Sequence, residues 1–169
     1  LLETLRYRFY VLDQTIALTL VTPGRLEQVH LYVLISEDHC CSRPWLEVAR
    51  QAIAGGADCL QLREKSLEGG ELLRRARQFV ELCRENGVIS IINDRVDIAI
   101  AADADGVHLG QGDIPAREAR KMLGKNKIIG VSTHQIEQAR QAILDGADYI
   151  GVGPVFRSST KTRDFVAGL

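Results

Sequence analysis

Polar side chains recur directly after short apolar runs from Cys59 onward. One such group alone is most simply a solvated loop, but five groups in series indicate that the chain gathers polar side chains at one place. Cations, amides, hydroxyls and carboxylates in a single site suit the binding of a charged small molecule. The five groups are Gln61, Arg63 and Lys65; Asn93 and Asp94; His108, Gln111 and Asp113; Ser132 and His134; and Ser158, Thr160 and Lys161.

Three of these side chains are cations. Arg63 can hold a phosphate through two parallel guanidinium contacts, whereas Lys65 and Lys161 supply compact ammonium charges. The 169-residue chain has a formal net charge of only -1, so no global field attracts nucleic acid or an anionic membrane. We therefore expect a small ligand carrying a diphosphate group, held by local cations, and neither a nucleic-acid nor a membrane partner.

Two carboxylates, Asp94 and Asp113, follow consecutive apolar runs. Mg²⁺ prefers one or two carboxylates and completes its shell with water and phosphate oxygens, so the pair predicts a Mg²⁺ site. Each residue also has a structural interpretation. Asp94 can cap the helix that follows it, and Asp113 can cap the segment that begins at Pro115.

The remaining polar groups have less specific chemistry. Asn93 can bind a polar heterocycle through its amide, and Ser132 can donate a hydrogen bond to a phosphate or leaving oxygen; local turn bonds are the alternative for both. His108 and His134 can tune the site or serve as structural polar residues. The sequence shows neither a Ser-His-Asp nor a Cys-His arrangement for covalent catalysis.

Alternating elements must position these groups. From His30 onward, short β-rich runs alternate with helical segments, which is typical of repeated βα units and a parallel sheet. The predicted strands are Leu31–Ile35, Cys59–Leu62, Val88–Ile92, Gly106–Leu109, Ile128–Val131 and Tyr149–Val152. The predicted helices are Trp45–Ala54, Glu71–Asn86, Val96–Ala101, Ala116–Leu123 and Ile136–Asp145.

Two architectures fit this alternation, an open doubly wound sheet and a (β/α)₈ TIM barrel. A dinucleotide-binding sheet carries G-x-G-x-x-G after its first strand, but Ser36-Glu37-Asp38 stands there. Polar residues at successive strand ends favour the barrel, whose active site lies at that face. Strand alternation then points Gln61 and Arg63 into the barrel mouth and Leu60 and Leu62 outward. The joints Gly56-Ala57-Asp58, Ala104-Asp105-Gly106 and Gly146-Ala147-Asp148 each stand directly before a strand. Glycine there can end a helix, so these residues are expected to be structural and to lie on the bottom face.

The first residues have a different pattern. Leu1, Leu5, Phe9, Leu12, Ile16 and Leu20 recur at helical spacing, and Pro23-Gly24 ends the stripe. We therefore divide the chain into an N-terminal helical segment, residues 1–28, and the barrel, residues 29–169. The helix packs on the barrel, is left from a preceding domain, or serves a partner or regulatory role.

The cysteines and the apolar runs indicate in which cellular compartment the protein is expected. Cys40, Cys41, Cys59 and Cys83 form no C-x-x-C pair or zinc-like set, so reduced thiols in a cytoplasm are expected. Every apolar run is far shorter than the roughly 20 residues that cross a bilayer, so no transmembrane segment is predicted.

Several motifs, in order, resemble those of the thiamine-phosphate synthase family. They are Q-L-R-E-K, I-N-D, D-G-V-H-L-G-Q-G-D, G-V-S-T-H and G-A-D-Y-I-G-V-G-P-V-F, with a hydroxyl-rich T-K loop, and they extend from Leu31 to Lys161. The resemblance implies a (β/α)₈ barrel transferase that uses Mg²⁺. It joins hydroxymethylpyrimidine diphosphate to a thiazole phosphate, giving thiamine phosphate and diphosphate by a dissociative mechanism.

The resemblance also implies roles for individual residues. Gln61, Leu62, Arg63, Glu64 and Lys65 would bind the pyrimidine diphosphate together with Asn93, and Asp94 and Asp113 would ligate Mg²⁺. Ser158, Ser159 and Thr160 would hold the thiazole phosphate. Ser132 and Lys161 would contact the diphosphate or the developing pyrimidine cation and, with Arg63 and Lys65, form the catalytic set.

The chain departs from the family pattern in two places. The family loop P-T-x-T-K is replaced by Arg157-Ser158-Ser159-Thr160-Lys161, and only about six βα units are present. We expect the gene product to continue beyond Leu169, or a partner to supply the remaining units, because an open barrel would expose sheet edges and core.

Two other functions stay open. One is a thiazole tautomerase-like barrel, which transfers a proton without coupling two substrates. The other is a non-catalytic phosphate-binding or regulatory domain, favoured by the missing units and the N-terminal helix. A homo-oligomer is compatible with each of them.

Overall fold

The computed structural model describes residues 3–9 and 25–156, and within them one six-stranded parallel sheet runs in the order β1 to β6. The strands are β1 (Tyr32–Ile35), β2 (Cys59–Leu62), β3 (Ile89–Asn93), β4 (Gly106–Leu109), β5 (Ile128–Thr133) and β6 (Tyr149–Val152). The helices between them are α1 (Trp45–Ala54), α2 (Gly69–Glu85), α3 (Val96–Ala101), α4 (Ala116–Leu123) and α5 (Ile136–Leu144), with 3₁₀ turns at Arg25–Gln28 and Glu37–His39. The predicted alternation is confirmed, although α2 begins before the predicted Glu71 and β5 continues past the predicted Val131.

The two faces of the sheet pack differently. Leu60 and Leu62 of β2 are almost fully buried in the larger core, together with Phe79 of α2. The opposite face is lined by a smaller cluster that includes Cys59 and Ile91. This alternation follows from the two-residue period of a strand and separates a helix-covered layer from an inner face.

The sheet is strongly curved. Strands β1 and β6 lie at opposite edges, yet the hydroxyl oxygens of Tyr32 and Tyr149 are 2.8 Å apart on the inner face. In a flat six-stranded sheet the two edge strands would lie about 24 Å apart, at about 4.8 Å for each of the five steps between strands. The described strands therefore form part of a barrel wall, and the expectation of a TIM-barrel architecture is confirmed.

The predicted structural joints lie at the edge of the sheet where the strands begin, opposite the edge that carries the polar strand ends. The Asp58 carboxylate, just before β2, accepts the backbone N–H groups of His30 and Leu31 at 2.8 and 3.0 Å. Asp105, before β4, likewise accepts Ser90 N–H at 2.9 Å, and Asp148, before β6, accepts Ile129 N–H at 2.7 Å. Each aspartate thus fixes the start of the preceding strand in the sheet.

The N-terminal segment is described over a short stretch only. Residues 3–9 are helical, and Leu5 and Phe9 are exposed by 47% and 69%. The predicted stripe residues Leu12, Ile16 and Leu20 lie outside the described residues. Within the described part of the chain, no helix combines the length and apolar character needed to span a bilayer.

Candidate active site

The polar strand ends meet at one rim of the sheet. Lys65, after β2, pairs with Asp94, after β3, at 3.1 Å between Nζ and Oδ2. The backbone N–H of Asp94 donates to the carbonyl of His108 in β4 at 2.8 Å. Gln111, after β4, donates to the carbonyl of Ser132 in β5 at 2.6 Å. Four of the predicted strand-end groups are therefore connected directly.

Asp94 and Asp113 form a carboxylate pair in contact at this rim. Burial raises the pKa of Asp113, and the charge of Asp94 and a hydrogen bond to it raise it further, whereas the Gly110 N–H bond and Lys65 oppose the shift. Gly110 N–H donates to Asp113 Oδ2 at 2.7 Å. Asp94 has a left-handed φ of 61°, an uncommon conformation outside glycine that is typical of special sites. Two adjacent carboxylates need a cation or a shared proton to remain together.

Neither carboxylate makes the helix cap that was the alternative interpretation. The N-cap of α3 is Arg95 and that of α4 is Pro115, and neither helix start has a side-chain cap bond. Among residues 3–9 and 25–156, no group of three or more His, Cys, Asp or Glu side chains could hold a metal. A two-carboxylate site completed by water and ligand oxygens is the arrangement that fits Mg²⁺ chemistry.

Asn93 presents an unsatisfied donor beside the carboxylate pair. Its side chain lies at the end of β3 and the residue is only 7% exposed, yet its buried Nδ2 has no hydrogen-bond partner. An unpaired buried amide group costs about 1–3 kcal/mol. Retaining such a group next to a charged rim is expected where a ligand supplies the acceptor.

A hydrogen-bonded chain of five side chains crosses the inner face. Gln61 Nε2 donates to Tyr32 Oη at 2.7 Å, and Tyr32 Oη lies 2.8 Å from Tyr149 Oη. Tyr149 Oη lies 3.0 Å from His108 Nδ1, and His108 Nε2 lies 2.9 Å from Ser132 Oγ. Burial raises the pKa of Tyr32 to about 12 and that of Tyr149 further, so both hydroxyls keep their protons.

The sequence interpretation missed Tyr32 and Tyr149. Both lie on the same face as Gln61 by strand alternation, which was the available signal. Their proximity depends on the curvature of the sheet, because they belong to its opposite edges. His108, which carried little weight in the sequence, joins these tyrosines to Ser132.

The Gln61–Lys65 segment divides between the two sides of the sheet. Leu62 is buried beneath the helices, and Glu64 Oε1 accepts from Arg75 Nη1 at 3.1 Å and from the Glu37 N–H at 2.9 Å. These two side chains therefore support the strand end from behind and do not line the rim. Gln61 faces inward, and the half-buried Arg63 follows it at the alternate position.

The last predicted groups have local contacts or fall outside the described residues. His134 Nδ1 contacts the Gly153 carbonyl, and its backbone N–H donates to Gln138 at 2.7 Å. Ser158, Ser159, Thr160 and Lys161 lie outside the described residues, so their roles stay predictions.

Sequence comparisons match this chain to one protein family. Residues 31–169 match a family model described as thiamine monophosphate synthase. The chain is 51% identical over 136 residues to a thiamine-phosphate synthase of Moorella thermoacetica, covering 80% of this chain and 65% of the relative. A thiamine-phosphate synthase of Thermosynechococcus vestitus is 42% identical over 169 residues, covering 98% of this chain and 47% of its own length.

A solved structure has the same fold. Thiamine phosphate pyrophosphorylase from Pyrococcus furiosus superposes with a TM-score of 0.70 at 38% sequence identity, covering 76% of this chain and 61% of that one. This chain therefore spans less than two thirds of the length of each of these three proteins.

Proposed function

The chain belongs to the thiamine monophosphate synthase family, and on that premise we propose that it couples hydroxymethylpyrimidine diphosphate to a thiazole phosphate. The products are thiamine phosphate and diphosphate. The observation that carries this proposal is the contact pair Asp94–Asp113, placed beside Lys65 and the unpaired amide of Asn93. Together they offer a cation site, a phosphate ligand and a donor for a heterocycle.

Asp94 and Asp113 are the proposed ligands of Mg²⁺. The contact between the two carboxylates favours a bound cation, because the single ammonium of Lys65 compensates only one of their two negative charges. When bound, Mg²⁺ would neutralise charge on the diphosphate oxygens. Asp94 has a positive φ, its carboxylate contacts that of Asp113, and it does not cap the helix that follows.

The leaving diphosphate is assigned to the cationic side of the rim. Lys65 is exposed enough to exchange its contact with Asp94 for a phosphate oxygen, since its side chain is 57% accessible. Arg63 would add a two-pronged contact, and Ser132 a hydroxyl donor. Lys161 completes the proposed catalytic set from its place in the sequence motif.

The two organic groups are assigned to different parts of the rim. The pyrimidine is proposed to bind Asn93 and Gln61, whose amides can satisfy both donors and acceptors of a polar ring. Ser158, Ser159 and Thr160 are proposed to hold the thiazole phosphate. These small anionic ligands, a net charge of -1 and four free cysteines are consistent with a cytoplasmic enzyme without a nucleic-acid or membrane partner.

The proposed reaction needs no protein nucleophile. The bond between the pyrimidine methylene carbon and the diphosphate oxygen breaks, and its electron pair leaves with diphosphate. The thiazole nitrogen lone pair then forms the new bond to that carbon. The protein would act by stabilising charge on the leaving group and by aligning the two substrates.

Incubation of the complete gene product with both substrates and Mg²⁺ tests the proposal. We expect equal amounts of thiamine phosphate and diphosphate, resolved by chromatography. An Asn93→Leu variant should lose most coupling while remaining folded. Conversion of a thiazole tautomer without coupling, or phosphate binding without either reaction, would replace this proposal with one of its alternatives.

A further inference from the structure

The hydrogen-bonded chain on the inner face has a direction that can be deduced from its donors. Gln61 Nε2 is a pure donor, so Tyr32 Oη must accept from it. If Tyr149 also donated to Tyr32, the Tyr32 proton would have no acceptor among these five hydrogen-bonded side chains. Tyr32 therefore donates to Tyr149, whose oxygen lies 2.8 Å away.

The same reasoning continues to the histidine. Tyr149 Oη already accepts from Tyr32, so its own proton goes to His108 Nδ1, 3.0 Å away. A neutral imidazole that accepts at Nδ1 carries its proton on Nε2. That N–H donates to Ser132 Oγ at 2.9 Å, which leaves the serine proton available to a ligand at the rim.

We propose that Gln61, Tyr32, Tyr149 and His108 form a one-way hydrogen-bond chain that holds Ser132 as a donor toward the rim. In this arrangement His108 is a positioning residue and not a catalytic base. Both of its ring nitrogens are engaged, one accepting from Tyr149 and the other donating to Ser132. The chain fixes the direction of each hydroxyl before a ligand arrives.

Gly130 creates the space that this chain requires. It lies in β5, in register with His108 of β4 and Tyr149 of β6. A Cβ atom at Gly130 would overlap the ring and hydroxyl of Tyr149. The missing side chain therefore lets the tyrosine ring lie across β5 and reach His108, with ring centroids 5.5 Å apart.

The functional consequence rests on the proposed function. A preset Ser132 donor would stabilise the negative charge that develops on the departing diphosphate. A histidine without an available lone pair is poorly suited to the proton abstraction that a tautomerase requires. The hydrogen-bond chain therefore favours coupling of two substrates over proton transfer at this rim.

Nitrogen-15 NMR of the histidines tests the direction of the chain without any substrate. The His108 signals, assigned by their loss in His108→Asn, should show an unprotonated Nδ1 and a protonated Nε2. The Tyr149→Phe variant removes the donor to Nδ1 and should yield a mixture of both tautomers. Tyr7→Phe, in the exposed helix of residues 3–9, is the matched control and should change nothing. A protonated Nδ1 in the unaltered protein would overturn the proposal.

Kinetics of the complete gene product separate this inference from the proposed reaction. Tyr149→Phe should lower kcat by about 10-fold with a smaller change in KM, because a misdirected Ser132 proton stabilises less of the charge that develops as diphosphate departs. Tyr32→Phe should have a similar but smaller effect. If the protein gives the expected NMR pattern but does not couple the substrates, the hydrogen-bond chain is supported and the proposed reaction is refuted. Equal kcat in all three tyrosine variants would refute the positioning role.

Discussion

Replacing Arg75 by methionine should strongly destabilise the fold, because it leaves a buried carboxylate without its cation. The side chains of Arg75 and Glu64 are only 8% and 4% exposed, and Nη1 lies 3.1 Å from Glu64 Oε1. Arg75 Nη1 also lies 2.9 Å from Glu37 Oε2, and its guanidinium lies 5.3 Å from the Trp45 ring centroid. Removing one member of a buried ion pair costs about 3–5 kcal/mol.

Two features of the cluster reduce this cost. The Arg75 Nε atom is already buried without a partner, so its loss removes one unfavourable group. Glu64 also keeps one donor, the backbone N–H of Glu37 at 2.9 Å. We therefore expect Arg75→Met to lower the free energy of unfolding by about 3 kcal/mol, near the lower end of the range for a broken buried pair.

Urea denaturation followed by circular dichroism measures this change, and a double variant identifies its cause. Adding Glu64→Gln to Arg75→Met removes the stranded charge and keeps an acceptor for Glu37 N–H. The double variant should therefore recover to within about 1–2 kcal/mol of the unaltered protein. Arg74→Met is the matched control, because its pair with Glu71 is exposed and should contribute at most about 1 kcal/mol. A double variant as unstable as Arg75→Met would refute the stranded-charge explanation.

Three further predictions concern single sites. Iodoacetamide at pH 8 should label the exposed Cys41 well before Cys83, because burial raises the pKa of the Cys83 thiol to about 12 and leaves almost no thiolate. Equal labelling rates, measured by mass spectrometry, would contradict this prediction. Asp105→Ala should lower the free energy of unfolding by about 1–3 kcal/mol in a urea titration, since the backbone N–H and the hydroxyl of Ser90 lose their acceptor. An unchanged urea midpoint of unfolding would contradict this prediction. Asn93→Leu should leave the free energy of unfolding unchanged or raise it by up to about 3 kcal/mol, because it removes the unpaired Nδ2. The same variant should weaken binding of the pyrimidine diphosphate by at least about 10-fold in calorimetry, and unchanged affinity would contradict the proposed role of Asn93.

The fold was predictable from the sequence because its signals are local and repeated. Strand-length apolar runs, helical periodicity and the glycine-containing joints placed the six strands and the five helices between them, within residues 25–156, to within a few residues. Strand order then brought Asp94 and Asp113 into contact, since their strands are neighbours in a parallel sheet. Strand alternation also placed Gln61 and Leu62 on opposite faces, as observed.

The parts that were not predictable depend on curvature and on contacts distant in sequence. Tyr32 and Tyr149 are separated by 117 positions and meet because the sheet curls. Glu64 stands between Arg63 and Lys65 in the sequence, but its side chain is directed beneath the helices to Arg75. Alternation places Glu64 on the face of Leu62, but its partner Arg75, like the meeting of the two tyrosines, does not follow from spacing along the chain.

The most direct test of the proposed Mg²⁺-assisted site is the Mg²⁺ dependence of coupling in the complete gene product. At fixed substrate concentrations, Asp94→Asn and Asp113→Asn should each raise the Mg²⁺ concentration for half-maximal rate by at least about 10-fold. Gln111→Leu, which changes a neighbouring rim residue outside the carboxylate pair, should leave that concentration within about 3-fold, well short of the loss expected for a metal ligand. An unchanged Mg²⁺ requirement in both aspartate variants would contradict the assignment of the pair as the metal site.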